Sequence, residues 1–165
     1  MKPALLVVDI QKEFFKYGTQ TARSLDDAVE YLNDAIALFR GKNLPIVCIQ
    51  HMNVKAKLIP GEDGFDIPEG LDIQASDIFI KKTYGNAFNK TALQSTLLEL
   101  GVDTVIVTGY CAEFCVLSTY RGAKDLDLTP IILRGCLASD SLENIKFVES
   151  ISDIISYGAL MKVLE

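Results

Sequence analysis

The sequence predicts an α/β fold in which a mostly parallel, Rossmann-like sheet of about six strands lies between two layers of helices. Short apolar, β-branched runs alternate with amphipathic stretches along the whole chain. Several of these runs are continuously apolar, as strands are when helices cover both faces of a parallel sheet. This alternation is typical of parallel strands joined by crossover helices. The length of 165 residues predicts a single domain over residues 1–165.

Six apolar runs are predicted to be strands. The first, fourth and fifth have the most continuous apolar character, which indicates burial on both faces. The sixth has the weakest pattern. In chain order the predicted strands are residues 4–9, 45–50, 78–81, 104–109, 129–134 and 159–164.

Four helices are predicted from apolar residues at helical spacing and from their end signals. Ser24 and Asp27 form a capping box for the first helix, and Gly41 is its stop signal. The predicted helices run from Ser24 to Gly41, from Thr91 to Gly101, over residues 114–126, and from Leu142 to Gly158.

The segment from Met52 to Gln74 interrupts this alternation. It contains closely spaced proline and glycine residues and several acidic residues. We expect a long excursion over the protein surface, which would serve as a lid, as a dimer contact or simply as a connecting loop.

Composition restricts the class of partner. The 22 acidic residues outnumber the 16 basic ones, and the formal charge of −6 disfavours nucleic acid and anionic membranes as partners. No apolar run approaches the roughly 18 residues of a membrane-spanning helix. The four cysteines contain no Cys-x-x-Cys pair, which favours reduced thiols and a cytoplasmic protein.

Polar residues follow four of the predicted strands. In an open parallel sheet, ligands bind outside the carboxyl ends of the strands. We therefore expect an acid, a base, the only histidine and a thiol to meet at one edge of the sheet. In chain order these strand-end residues are Asp9 and Gln11, Gln50 and His51, Lys81 and Lys82, and Cys115 after Gly109.

Cys115 is the candidate nucleophile. A free cysteine titrates near about 8.5, and a helix N-terminus or a nearby lysine lowers that pKa. A buried Asp9 beside the thiol would take its proton and return it to a leaving amine. The loop at residues 109–114 offers backbone N–H groups to a developing oxyanion. An acid, a lysine and a thiol together suffice for acyl transfer.

Each of these residues also has a purely structural interpretation. A single cysteine is often a small buried hydrophobe, and an aspartate at a strand end often caps the next turn. Strand alternation buries one of Lys81 and Lys82 without deciding which. His51 is either the base of a Cys–His pair or an ordinary hydrogen-bonded residue. It is poorly supported as a metal ligand, because no second histidine and no suitable cysteine pair exist.

Four motifs follow one another over nearly the whole chain. They are a strand with Asp-x-Gln-x-x-Phe at Leu5–Phe14, Pro-Gly-x-x-Gly at Pro60–Gly64, a lysine motif at Lys82–Phe88 and a nucleophile loop at Gly109–Val116. In this order and spacing they resemble the isochorismatase-like cysteine hydrolases, the superfamily that includes nicotinamidases and N-carbamoylsarcosine amidohydrolases. The resemblance implies the isochorismatase-like hydrolase fold and a homodimer or homotetramer.

The resemblance also implies a catalytic triad of Asp9, Lys82 and Cys115. It selects Lys82 over Lys81, and Cys115 over the other three cysteines. Asp9 would accept and donate the proton, Lys82 would hold Asp9 and the sulfur in register, and Cys115 would form the covalent intermediate. A non-proline cis peptide between Tyr110 and Cys111 is implied as well, with the N–H groups of Cys111 and Cys115 as the oxyanion hole.

The sequence departs from the family pattern at several positions. The metal-binding Asp-x-His of nicotinamidases has no counterpart at residues 49–53, so neither a metal nor another cofactor is predicted. Asn86 stands where serine is usual, and Ala112 where threonine is usual. Cys111 is unusual in this loop, and it is either inert or able to form a reversible disulfide with Cys115 on oxidation.

The predicted function is hydrolysis of a small carboxamide, ureide or carbamoyl C–N bond through a thioester-type intermediate on Cys115. We expect Gln11, Phe14, Tyr110 and Phe114 to bind the substrate, with Gln11 also placing Asp9. One alternative is a vinyl-ether hydrolase of the isochorismatase type, although retention of Cys115 favours an amide. The other is a non-catalytic ligand-binding member of the fold.

Overall fold

The computed structural model describes all 165 residues, Met1–Glu165. One sheet contains six strands in the order β3-β2-β1-β4-β5-β6, and every neighbouring pair is parallel. The chain moves outward from β1 to β3 and then returns to the other side of β1, where β4 lies. The carboxyl ends of β1 and β4 therefore flank a topological switch point, where open α/β sheets bind ligands. The strands are β1 (Pro3–Val8), β2 (Ile46–His51), β3 (Ile78–Lys82), β4 (Thr104–Gly109), β5 (Thr129–Leu137) and β6 (Ile154–Ile155).

Five helices cover the two faces of the sheet. They are α1 (Thr19–Gly41), α2 (Leu93–Glu99), α3 (Leu117–Asp125), α4 (Leu142–Ser150) and α5 (Tyr157–Val163). Leu5 and Val7 of β1 pack into one core with α1 and α5. Leu6 and Val8 pack into the other core with α2, α3 and α4. The prediction of a three-layer α/β/α sandwich is confirmed.

The first five strands occur where the sequence predicts them, with small changes at their ends. The sixth prediction is wrong, because residues 159–164 lie in α5 and the last strand, β6, is two residues long. Ser156 caps this helix by accepting a hydrogen bond of 3.3 Å from the N–H of Ala159. Only Leu160 of the helix is buried, so its apolar residues do not form the continuous buried run of a central strand.

The second predicted helix occurs as α2, two residues shorter at each end, and the other three differ more from the structure. Helix α1 begins at Thr19, so Ser24 lies inside it, where its hydroxyl accepts a hydrogen bond of 3.1 Å from the N–H of Ser139. Helix α4 ends at Ser150, and Ile155 belongs to β6. The third predicted helix is a π-helical turn at Ala112–Val116 followed by α3.

The segment from Met52 to Gln74 is irregular but well packed. Leu58, Phe65 and Leu71 are buried in the core that α1 covers. The carbonyl oxygen of Phe65 accepts hydrogen bonds from the side chains of Gln11 and Gln50. Of the three interpretations offered by the sequence, this packing favours a connecting segment that forms part of the core. No helix of the protein combines the length and the apolar character needed to cross a membrane.

Candidate active site

Asp9 follows directly after β1 at the switch point. Its backbone adopts a left-handed conformation with φ of 52°, which is uncommon for a residue other than glycine. Its N–H donates a hydrogen bond of 2.9 Å to the carbonyl oxygen of Ile49, so the turn is tied to β2. The side chain is 2% exposed and lies at the carboxyl end of the sheet. Strained backbone of this kind is common at functional sites.

Lys82, the last residue of β3, provides the charge partner of Asp9. Its ammonium nitrogen lies 2.7 Å from Oδ2 of Asp9, and both side chains are almost completely buried. Lys81, one residue earlier, is exposed, so strand alternation places Lys82 inside. Burial raises the pKa of Asp9, and the charge and hydrogen bond of Lys82 act against that rise. The second carboxylate oxygen, Oδ1, accepts no hydrogen bond.

His51 forms the third side of this cluster. Its Nδ1 lies 3.1 Å from the ammonium nitrogen of Lys82. Burial, with a smaller contribution from the charge of Lys82, lowers the pKa of His51 to about 4, so the ring is neutral at pH 7. Because an ammonium group can only donate, Nδ1 accepts the hydrogen bond and the ring proton lies on Nε2.

The side chain of Gln11 forms hydrogen bonds with both backbone polar groups of His51. Its Oε1 accepts a hydrogen bond of 2.7 Å from the N–H of His51, and its Nε2 donates one of 3.1 Å to the carbonyl oxygen. The side chain is fully buried and does not line the cavity described below. The structure thus places Gln11 beneath the pocket, where it positions His51.

Cys115 lies in the π-helical turn before α3 and completes the group. Its Sγ, a carboxylate oxygen of Asp9 and a ring nitrogen of His51 all lie within 4.8 Å of one another. Burial and the negative charge of Asp9 raise the pKa of the thiol to about 12, against the opposing effect of Lys82. The expectation of a lowered thiol pKa is therefore wrong. The sequence indicated a helix N-terminus and a lysine, which lower the pKa of a thiol. It did not reveal burial beside a carboxylate, which raises that pKa.

Asp9, His51 and Cys115 line one side of a cavity of about 290 Å³. The rings of Phe14 and Tyr110 pack together with their centroids 4.9 Å apart. Phe114 is exposed at the same cavity. All three aromatic residues predicted to bind substrate thus line the wall. The complete lining consists of Asp9, Phe14, Tyr17, His51, Tyr110, Cys111, Phe114, Cys115 and Asp140.

Sequence reasoning missed two of these lining residues. Asp140 follows β5, so the strand-end argument would have found it if the end of β5 had been placed at Leu137 instead of residue 134. Tyr17 lies three residues after Phe14 and packs edge-on against it, with the ring centroids 5.5 Å apart. The spacing of the two aromatic residues was the available signal.

The loop before Cys115 has the backbone geometry that the family resemblance implies. The peptide bond between Tyr110 and Cys111 is cis. The N–H of Cys111 donates to no acceptor within the chain. It is therefore available to an oxygen atom of a ligand in the cavity that Cys111 lines.

The residues at this site do not fit a metal centre of the nicotinamidase type. Asp9, His51 and Cys115 place possible ligand atoms close together. However, the ammonium group of Lys82 already forms hydrogen bonds with both Asp9 and His51. A divalent cation would have to lie beside that fixed positive charge, which opposes its binding.

Comparison with known proteins relates the whole chain to one family. Residues 3–149 match the family model described as the isochorismatase domain. The chain is 27% identical over 146 residues to the uncharacterized isochorismatase family protein YddQ of Bacillus subtilis, covering 87% of this chain and 81% of YddQ. It is 27% identical over 156 residues to maleamate amidohydrolase of Pseudomonas putida, covering 82% and 72%. Among solved structures, N-carbamoylsarcosine amidase of Thermoplasma acidophilum superimposes with a TM-score of 0.80 at 25% identity, covering 94% and 95% of the two chains.

Proposed function

Since the chain belongs to the isochorismatase family, we propose that it is a cysteine-dependent amidohydrolase acting on a small-molecule carboxamide, ureide or carbamoyl compound. Relatives named as amidohydrolases and as a carbamoylsarcosine amidase indicate a hydrolase of C–N bonds other than peptide bonds. The observation that carries the cysteine mechanism is the proximity of the Cys115 sulfur to the carboxylate of Asp9 at the wall of the cavity. The same carboxylate accepts a hydrogen bond from the ammonium group of Lys82.

In the proposed first step, the Cys115 thiol gives its proton to Asp9 while the sulfur attacks the substrate carbonyl carbon. A C–S bond forms and the carbonyl oxygen becomes an oxyanion. The free N–H of Cys111 supports stabilisation of that oxyanion, together with the N–H of Cys115. A resting thiol with a pKa of about 12 fits proton transfer during attack better than a preformed thiolate.

In the second step, Asp9 passes the proton to the nitrogen of the leaving group. The C–N bond breaks, ammonia or an amine departs, and an acyl- or carbamoyl-thioester remains on Cys115. A water molecule then gives a proton to Asp9 and attacks the thioester carbon. The C–S bond breaks, the acid is released, and the proton held by Asp9 returns to the sulfur.

Lys82 acts in this scheme through position and charge. Its hydrogen bond orients Asp9, and its positive charge stabilises negative charge on the sulfur or the carboxylate as the proton moves between them. The neutral ring of His51 accepts a hydrogen bond from Lys82 and does not compete with Asp9 as the proton acceptor.

Replacement of the nucleophile tests the proposal. We expect Cys115→Ala to lower ammonia release by at least about a thousandfold across a panel of small amides and ureides, because no covalent intermediate can form. Cys136→Ala is the matched control, since Cys136 is a buried core residue outside the cavity. It should keep the wild-type rate, and circular dichroism should show that both variants are folded.

Three results would contradict the proposal. Undiminished hydrolysis by Cys115→Ala would exclude a cysteine nucleophile, and retained activity on isochorismate would favour the vinyl-ether alternative. Wild-type protein that binds amides without releasing ammonia would favour a non-catalytic, ligand-binding protein.

We also propose that the protein is cytoplasmic, needs no cofactor and forms a homodimer or homotetramer. Four free cysteines without a disulfide are consistent with a reducing compartment. Apolar side chains exposed on α4 support self-association.

A further inference from the structure

The charged groups that line the cavity are both acidic. Asp9 and Asp140 contribute carboxylates to the lining, and neither arginine nor lysine belongs to it. The ammonium group of Lys82 lies behind the wall, buried and bound to Asp9. Its positive charge is therefore largely balanced within that pair and is not available to a carboxylate of a ligand.

A third carboxylate, that of Glu113, lies beside two residues of the lining. Atoms of Cys111, Glu113 and Asp140 lie within 4.8 Å of one another. Glu113 accepts hydrogen bonds of 2.8 Å from the hydroxyl of Ser139 and 2.6 Å from the amide of Asn144, both of which are uncharged. Burial opposes ionisation of Glu113, but these hydrogen bonds and one from the backbone outweigh it and lower the pKa.

No ion pair neutralises Glu113 or Asp140. The salt bridges of the protein involve other carboxylates. Lys16, which directly precedes Tyr17 of the cavity lining, pairs with Glu13. Arg23 lines a separate surface cavity together with Asp27. The groups that line or adjoin the cavity therefore carry a negative net charge, which favours cationic over anionic ligands.

The remaining walls suit a flat or cationic group. Phe14, Tyr17, Tyr110 and Phe114 present aromatic surface to the cavity. The faces of aromatic rings attract cations and stack against planar groups, whereas they offer nothing to a carboxylate. A volume of about 290 Å³ lies at the lower end of ligand pockets and suits a small molecule.

From these charges and walls we propose that the pocket takes small, planar carboxamides that are neutral or cationic and that it rejects those carrying a carboxylate. This inference rests on the proposed function and specifies its substrate class. It separates this chain from the maleamate amidohydrolase of Pseudomonas putida, because maleamate carries a carboxylate.

Three benzamides of matched shape test the proposal: 4-(aminomethyl)benzamide, 4-(hydroxymethyl)benzamide and 4-carbamoylbenzoate, which are cationic, neutral and anionic. Their binding to the Cys115→Ala variant is measured by titration calorimetry, so that no turnover intervenes. We expect the cationic compound to bind at least about tenfold more tightly than the anionic one, with the neutral compound between them.

Asp140→Asn should lower the ratio of the binding constants of the cationic and the anionic compound about three- to tenfold, because it removes a carboxylate from the cavity lining. Asp27→Asn is the matched control, since it changes the net charge equally but lies in the other surface cavity. The control should leave the ratio unchanged.

Equal or tighter binding of the anionic benzamide would overturn the proposal, and so would an absence of binding by both the neutral and the cationic compound. Charge-selective binding without hydrolysis by the wild-type protein would support the pocket's selectivity and contradict the proposed amidohydrolase. Hydrolysis of all three compounds at similar kcat/KM would support the amidohydrolase and overturn the selectivity.

Discussion

Asp9 and Cys115 are two acidic groups that share a buried site with one ammonium. Burial raises the pKa of both groups, and it raises that of Cys115 to about 12. Because the two groups are adjacent, ionisation of one opposes ionisation of the other. The raised pKa of the thiol favours a neutral Cys115 at neutral pH, and Lys82 is bound to the carboxyl group of Asp9.

The pH dependence of activity should follow from this state. Asp9 must be deprotonated to accept the thiol proton, so kcat/KM should fall as the pH drops through the raised pKa of Asp9, above its ordinary value of about 3.9. Ionisation of the thiol should add no second limb between neutral pH and about pH 11, because burial and Asp9 raise its pKa to about 12. A preformed thiolate paired with an imidazolium would instead give a bell-shaped profile.

The rate of iodoacetamide labelling of Cys115 against pH is the independent measurement. It should rise steadily into the alkaline range. A plateau of labelling below about pH 8 would mean that the thiolate forms much more easily than its buried surroundings allow, and it would contradict this description of the site.

At the residue scale, the sequence predicts which side chains lie together at the candidate site, but it does not predict their ionisation. Asp9, Lys82 and Cys115 were selected by strand ends and by motif order, which are local properties. The pKa of Cys115 depends on how deeply three separate elements bury it against Asp9. That depth is a property of packing between elements.

At the scale of elements, the loop after β3 is attached to α3, so the lysine and cysteine of the site are held by one interface. The N–H of Ala87 donates a hydrogen bond of 3.1 Å to the hydroxyl of Thr119. The side chain of Asn86 lies over Gly122, where a Cβ would come within 2.7 Å of the Asn86 Cγ. Asn86, which replaces the usual serine, thus depends on a glycine in the facing helix.

This contact predicts a reversal in the effect of one substitution. Gly122→Ala should lower the free energy of unfolding by about 1–3 kcal/mol, because its methyl group overlaps the Asn86 side chain. In an Asn86→Ser background the same substitution should be neutral or stabilising by up to about 1 kcal/mol, as expected for alanine in a helix. Urea denaturation of the four proteins measures this coupling.

An equal cost of Gly122→Ala in both backgrounds would show that the two positions are independent and would remove this explanation. Folding of all four proteins is checked by their common unfolding slope, since a changed slope would indicate a different native or unfolded state.

The existence of most strands and helices was easier to predict than the residues at which they begin and end. The runs that became β1 and β4 are buried at every residue, so their apolar pattern was unambiguous. The prediction of a strand at residues 159–164 was wrong because the pattern of a short apolar segment fits a strand and a helix equally well. Ser24 was mistaken for a helix cap because its real partner, Ser139, lies far away in the sequence.

On the scale of the whole molecule, several helices expose apolar side chains to water, and α4 and the residue after it expose three of them. Leu142 and Phe147 of α4, and Ile151 just after it, are exposed. Only Val148 of this helix is buried in a core. Exposed apolar residues grouped in this way are typical of surfaces that associate.

We therefore expect the protein to sediment as a dimer or tetramer of the 18.2 kDa chain. Phe147→Glu should shift it towards the monomer, because a charge in an apolar contact loses its hydration without gaining a partner. Val54→Glu is the matched control, since Val54 is also exposed but lies in the segment after β2. Sedimentation velocity distinguishes the species, and a monomeric wild-type protein would contradict the expected assembly.

The two thiols that line the cavity are expected to resist oxidation by air because they are protonated at neutral pH. Cys111 and Cys115 both titrate near 12, Cys111 because of burial and the adjacent Glu113. Dissolved oxygen and peroxides react with sulfur anions far faster than with neutral thiols. At neutral pH both residues should therefore resist sulfenic acid formation and mutual cross-linking, so that the purified protein keeps its reactive sulfur without added reductant.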